Sequence, residues 1–154
     1  MLEQSLDYFL ADKQGAVLSD TLITEACQTL RTNREEYLVQ IGNETIISKL
    51  VEAASLWLSP DYELRKMALA ADPETTGFPR EVLAAGLDAC FSEWTQENFF
   101  GLLGQEFGDA TRLQSFGSLS SHSLAMVHGP QLIAHVAPGN LPVPVFQSIA
   151  FGLL

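Results

Sequence analysis

The distribution of charge constrains this chain more than any other feature. All nineteen acidic residues lie at or before Asp109, and across residues 110–154 the only charged side chain is Arg112. A stretch that long with one charge cannot form an ordinary solvated surface, so other protein is expected to cover it. The chain therefore reads as two regions: a charged helical region over residues 1–109, and an apolar region over 110–154 that opens an α/β domain. The expected fold class is α/β, with helices first, then a few strands and one helix.

The first region carries helical periodicity. Residues 2–12 read as a short helix. Ser19 or Asp20 caps a helix over about 20–41, with Ile23, Ala26, Cys27, Leu30, Tyr37, Leu38 and Ile41 on one face and a polar stretch, 31–36, that breaks or exposes it. Gly42 stops it and Asn43 caps the next helix, whose stripe is Ile46, Ile47, Leu50, Val51, Ala54, Trp57 and Leu58. Ser59-Pro60 ends that helix. Asp61 caps a short helix to about Ala71, with Leu64, Met67, Ala68 and Ala71 inward, and 72–77 is a loop by composition. Pro79 suits a first helical position. Val82, Leu83, Gly86, Leu87, Cys90, Phe91 and Trp94 form the strongest stripe. Thr95 caps a last helix, with Phe99, Leu102, Leu103 and Phe107 inward and Gly108 as its stop.

After Asp109 the period changes. Short strands are expected near 111–117 and over 123–127, and a strand buried on both faces over 132–137, where five of six residues from Leu132 to Ala137 are apolar. A Pro-Gly-Asn turn follows, then a helix from about Pro142. Strand, tight turn and helix form the first half of a nucleotide-binding crossover, and ligands sit at such turns.

That turn resembles a known signature. The text HVAPGNLPVPVFQSIAFGLL resembles the Pro-x-Asn-x-Pro segment of the aldehyde dehydrogenase superfamily. It is closest to the branch of acyl-CoA reductases and the fatty-acid reductase of bacterial bioluminescence. The upstream text GFPREVLAAGLDACFSEWTQENFFGLLGQEFGD resembles the same branch more loosely. The resemblance implies an aldehyde-dehydrogenase-like cofactor domain, NADPH as reductant, an acyl-CoA or acyl-protein thioester as substrate, and an aldehyde formed through a cysteine-bound acyl group. It implies that Asn140 donates its amide to the substrate carbonyl oxygen, and that Ala137, Pro138 and Gly139 lie beside the nicotinamide ribose. A fixed donor at a developing oxyanion is worth about 3 kcal/mol of barrier. The other reading of Asn140 is a turn asparagine tolerating left-handed backbone. Gly139 stands where aldehyde dehydrogenases commonly have Trp.

The remaining candidates read as structural. Cys27 and Cys90 sit in helical stripes as small core residues, and neither matches the family's nucleophile. His122, His128 and His135 have spacings that match no common metal-ligand pattern, so no metal is expected, and His135 reads as a hydrogen-bonded core residue. The net charge of −11 argues against nucleic acid or an anionic membrane as partner. There is no membrane span and no secretory signal, so a cytoplasmic location is expected. The apolar 143–154 helix lacks a solvent face and implies a homo-oligomer.

Two readings follow. One is the N-terminal part of an NADP(H)-dependent acyl-CoA reductase, inactive alone and continuing past Leu154 to the cysteine and the adenosine-ribose residues. The alternative is a small helical protein-interaction or regulatory domain.

Overall fold

The computed structural model describes residues 19–135 and 143–154. It divides into two compact units, Met1–Gln40 and Ile41–Leu154. The expected helix at 2–12, and Val136 and Ala137 of the expected third strand, lie outside the described residues.

In the first unit a helix, α1 (Asp20–Asn33), begins where Ser19 accepts a hydrogen bond from the Leu22 amide. The polar stretch does not break it. The helix continues instead as a π-turn over Arg34–Leu38, the wider ring that accommodates an extra residue.

The second unit is built on α2 (Asn43–Leu58), α3 (Glu63–Leu69), α4 (Pro73–Thr76), α5 (Arg80–Ser92) and α6 (Gln96–Phe107). A 3-10 turn (Ala110–Leu113), β1 (Gly117–Ser120), β2 (Ser123–Ala125) and α7 (Val143–Leu153) follow. The stripes of α2 and α5 pack on each other, burying Ile47, Leu50, Ala54, Leu83, Leu87 and Phe91. Phe91 is 2% exposed. Trp57 stacks on it at 5.3 Å and 11°, and Phe146 from α7 lies 5.3 Å away. Trp94 meets its edge at 5.1 Å and passes the contact on to Phe99 of α6 at 5.7 Å. Offset and edge-to-face pairs of this kind add to the burial of large rings.

Several ends and faces differ from the sequence reading. Gly42, not Asn43, is the cap of α2, and Asn43 is its buried first residue. Pro79 is the cap of α5 rather than its first helical residue. The loop at 72–77 contains a single helical turn, capped by Asp72 accepting from the Glu74 amide. Thr95 does cap α6, and Gly108 ends it at φ 71.

The largest correction is α3. Tyr62, not Asp61, is its cap. Leu64 and Met67 are 49% and 68% exposed, while Arg65 is buried. Its guanidinium donates to the Trp57 carbonyl and pairs with Asp88, each at 2.8 Å. A buried charge must be hydrogen-bonded. Two strong partners on α2 and α5 therefore set the rotation of this short helix, leaving Leu64 and Met67 outside. Val82 of α5 and Leu58 of α2 also face solvent more than expected.

The expected strand near 111–117 is instead the 3-10 turn, with β1 starting at Gly117. β2 forms within the expected 123–127 segment and pairs antiparallel with β1. Arg112 holds this hairpin to the end of α6 by donating to the carbonyls of Phe107 and Ser118. Gly117 permits that seat, since an added Cβ would stand 2.8 Å from Arg112 Cγ. Residues 132–135 join no ladder. An apolar run records a preference for cover, and strand formation also needs a free neighbouring edge in register. Among the described residues the sheet is the two-stranded hairpin, not a parallel crossover.

Phe91→Ala removes the ring shared by α2, α5 and α7. Unfolding stability should fall by about 3–5 kcal/mol, read as a lower urea midpoint. A loss under about 1 kcal/mol would place the core elsewhere.

Candidate functional site

The helical layer presents one broad cavity between α5, α6 and α7, with a volume of about 640 Å³. Its apolar wall is Trp94, Phe99, Leu102 and Phe151, with Ala89 and Cys90 behind. Amides of Asn98, Gln105 and Gln147 supply neutral polarity, and Glu93 and Glu97 supply its only ionisable carboxylates. Asn98 donates to the Glu93 carbonyl at 2.8 Å and to its carboxylate at 3.1 Å. Gly101 opens the floor, since a Cβ there would meet nothing within 4 Å.

Why the chain makes this hollow follows from its sequence. Gly101 carries no side chain where α6 lines the cavity, and Phe99 is drawn inward toward Trp94. Phe146 anchors the inner face of α7 on Phe91, which turns Gln147 and Phe151 toward α6. The result is an apolar groove with amide-lined edges. It suits an alkyl chain carrying a polar, uncharged head. It does not suit a pyrophosphate, because no Lys or Arg lines it and its carboxylates repel anions.

Cys90 is 6% exposed. Burial pushes its thiol above the ordinary value, and the Trp94 side-chain hydrogen bond only partly offsets this. A nucleophilic cysteine needs the opposite environment, one that favours the thiolate. Cys90 is therefore a core thiol, as its helical stripe implied. Cys27 is half-buried on α1.

Asn140, Ala137, Pro138 and Gly139 all lie outside the described residues. Their flanks are described. His135 is exposed rather than core, but it is hydrogen-bonded: its Nδ1 lies 2.6 Å from Ser148 Oγ on α7. Among the described residues no group of three or more His, Cys, Asp or Glu could hold a metal, and no helix is long and apolar enough to cross a membrane. Sequence reasoning missed both the cavity and the His135–Ser148 bond. Gly101, between Phe99 and Leu102, was the available signal for the cavity, and the bond, made across thirteen positions, had none.

With this geometry in place, the chain matches the family model described as acyl-CoA reductase (LuxC) over residues 38–154. The chain belongs to that family. The match begins close to the start of the second compact unit at Ile41. No match to a curated protein or to a solved structure accompanies it.

The raised Cys90 thiol makes a directional forecast. Because the fold favours the neutral thiol, its contribution to stability is complete below the ordinary thiol value and is lost as pH rises through the higher folded value. At pH 7.5, iodoacetamide should label Cys90 at least about tenfold more slowly in the folded chain than in urea. Equal rates, followed by mass spectrometry of the peptide, would show an open thiol.

Proposed function

We propose that this member of the acyl-CoA reductase family is the N-terminal part of an enzyme that reduces fatty acyl thioesters to aldehydes. The observation that carries the reading is the apolar cavity between α5, α6 and α7, in a segment matched by the family model along its whole length. The cavity takes the alkyl chain of the acyl group. Its carboxylates keep the phosphates of coenzyme A outside.

Asn140 donates its side-chain amide to the thioester carbonyl oxygen. An amide is suited to this because it carries no charge to titrate and stabilises charge only as it develops. The catalytic thiol comes from outside this chain, whose two cysteines are Cys27 and the protonated Cys90. Acyl transfer to that thiol breaks the substrate thioester, releases its thiol and forms an acyl-enzyme. NADPH, when bound, would supply the hydride that reduces the acyl group to the aldehyde and frees the enzyme thiol. Ala137, Pro138 and Gly139 are the residues of this chain assigned beside its ribose, in the manner of an aldehyde-dehydrogenase-like cofactor domain. The described cavity has no place for the dinucleotide. The enzyme acts in the cytoplasm.

Association with a second copy belongs to the same reading. Ile149 and Phe151 of α7 are 43% and 57% exposed, and Ile133 beside them is 45% exposed. Fully burying an exposed side chain of this kind stabilises by about 1.5–3 kcal/mol, and covering what remains exposed of these three favours association. Light scattering that gave a monomer would remove this part alone.

The 154-residue chain should not turn over acyl-CoA with NADPH, and measurable steady turnover would reject the external thiol. In the complete enzyme, Asn140→Ala should lower kcat about 10²-fold with little change in KM, as for loss of one oxyanion donor. Near-normal turnover would make Asn140 a turn residue. Gly101→Leu fills the floor of the cavity without weakening α6, since Leu is the better helix former. It should shift the preferred substrate to shorter acyl chains. An unchanged chain-length profile would remove the cavity from the site.

A further inference from the structure

None of the residues of α1 is buried. Asp20, Ile23, Cys27, Leu30 and Arg34 follow one another at steps of three and four, the spacing of a seam along which one helix packs on another. Ile23 and Leu30 are 48% and 52% exposed, and Cys27 lies half-buried between them. A 14-residue helix is marginal in water without a packed face. The seam therefore calls for a partner, and the charges at its two ends say which.

Asp20 lies in the first turn of α1 and Arg31 in the last. Both project on the side of the seam, because they stand one turn before Ile23 and one residue after Leu30. Along the axis they are roughly 16 Å apart, too far to meet within one helix. Among the described residues neither the Asp20 carboxylate nor the Arg31 guanidinium has a partner, whereas Arg34 is paired with Glu35 at 2.8 Å.

A second copy of α1 running parallel would set Asp20 against Asp20 and Arg31 against Arg31. Running antiparallel it sets each against its opposite, and the two-fold axis repeats the pair. With Ile23 level with Leu30 of the second copy, the small Cys27 comes opposite Ala26 and Cys27 across that axis. Asp20 then falls two residues, about 3 Å along the axis, from the level of Arg31. A long guanidinium side chain covers that offset.

We propose that α1 is a self-association surface on which a second copy of this chain packs antiparallel through Ile23, Cys27 and Leu30, with reciprocal Asp20–Arg31 ion pairs fixing the direction. The surface lies outside the family match at 38–154. It uses neither the cavity nor Asn140, and it is separate from the α7 face.

The test uses the 154-residue chain at micromolar concentration and a short bis-maleimide, which joins two thiols only when they lie close together. The parent should give a dimer whose joined peptides both carry Cys27. Asp20→Arg and Arg31→Asp should each lower the cross-linked yield about tenfold, because each substitution turns two attractive contacts of a symmetric pair repulsive. The variant carrying both substitutions should recover the parent's yield. It also places the wrong charge at both ends of its own helix, so that recovery cannot come from a steadier α1. Leu30→Gln should lower the yield with unchanged circular dichroism, since α1 loses no buried side chain. Ile149→Ser, on α7, should leave the yield as it was. Absence of a Cys27–Cys27 product from the parent overturns the proposal. A double variant no better than the single ones overturns the antiparallel pairing. A product lost in Ile149→Ser assigns the contact to α7 and overturns α1 as the surface.

Discussion

The contact between Phe91 and Trp57 is the interaction on which the second unit depends. Phe91 is almost fully buried, and its ring meets α2 through Trp57, α7 through Phe146, and Trp94 in the link to α6, which in turn touches Phe99 of that helix. Four helices therefore register on one side chain. The same ring sets the direction of α7, which decides that Gln147 and Phe151 face α6 and that a cavity exists between them. Ring stacking is tolerant of small rotations, but the volume of a phenyl group is not replaceable by a smaller residue without a void.

Two guanidiniums do for the connections what Phe91 does for the helices. Arg65 fixes α3 by joining the Trp57 carbonyl to Asp88. Arg112 fixes the hairpin by joining the Phe107 and Ser118 carbonyls. Both use the planar fork of arginine, which offers several donors in fixed directions and suits carbonyl groups left free at chain ends. The exposed pairs Lys49–Glu52 and Lys66–Glu63 are well formed but solvated, and contribute little. That Arg112 survives in a segment otherwise free of charge has a structural cause: it satisfies backbone, not solvent.

The charge-poor segment behaves as its composition demands, in an incomplete way. Its apolar side chains have gathered cover where α7 meets α5, through Val143, Phe146 and the buried Ala150. Elsewhere Phe116, Leu119, Leu124 and Phe151 remain largely exposed. An isolated two-stranded hairpin is marginal in water, and here it is held by Arg112 rather than by a packed face. The pattern is that of a surface made to be covered. This is why association and an extended catalytic assembly belong to the functional reading.

Much of the local structure was legible in the residues. The stripes on α2, α5 and α6, the Ser19 and Thr95 caps, the Gly108 stop and the final helix all follow from periodicity and end chemistry, which act within a few residues. The text around Pro-Gly-Asn and the helical text upstream likewise carry the resemblance to the reductase family, which the family match over residues 38–154 bears out. Other features depended on partners distant in sequence. The seven residues of α3 were too few for periodicity to fix their rotation, and Arg65 chose it by reaching Trp57 and Asp88. The apolar run at 132–135 called for cover, yet it pairs with neither strand of the described sheet. The cavity exists because Phe91 draws Phe146 inward while Gly101 leaves α6 bare where it lines the hollow. His135 found Ser148 only because α7 folded back beside it. Sequence by itself thus determined the longer helices, the Ser19 and Thr95 caps and the family. Tertiary structure decided which faces were buried and which side chains met, because those outcomes depend on partners that local periodicity does not encode.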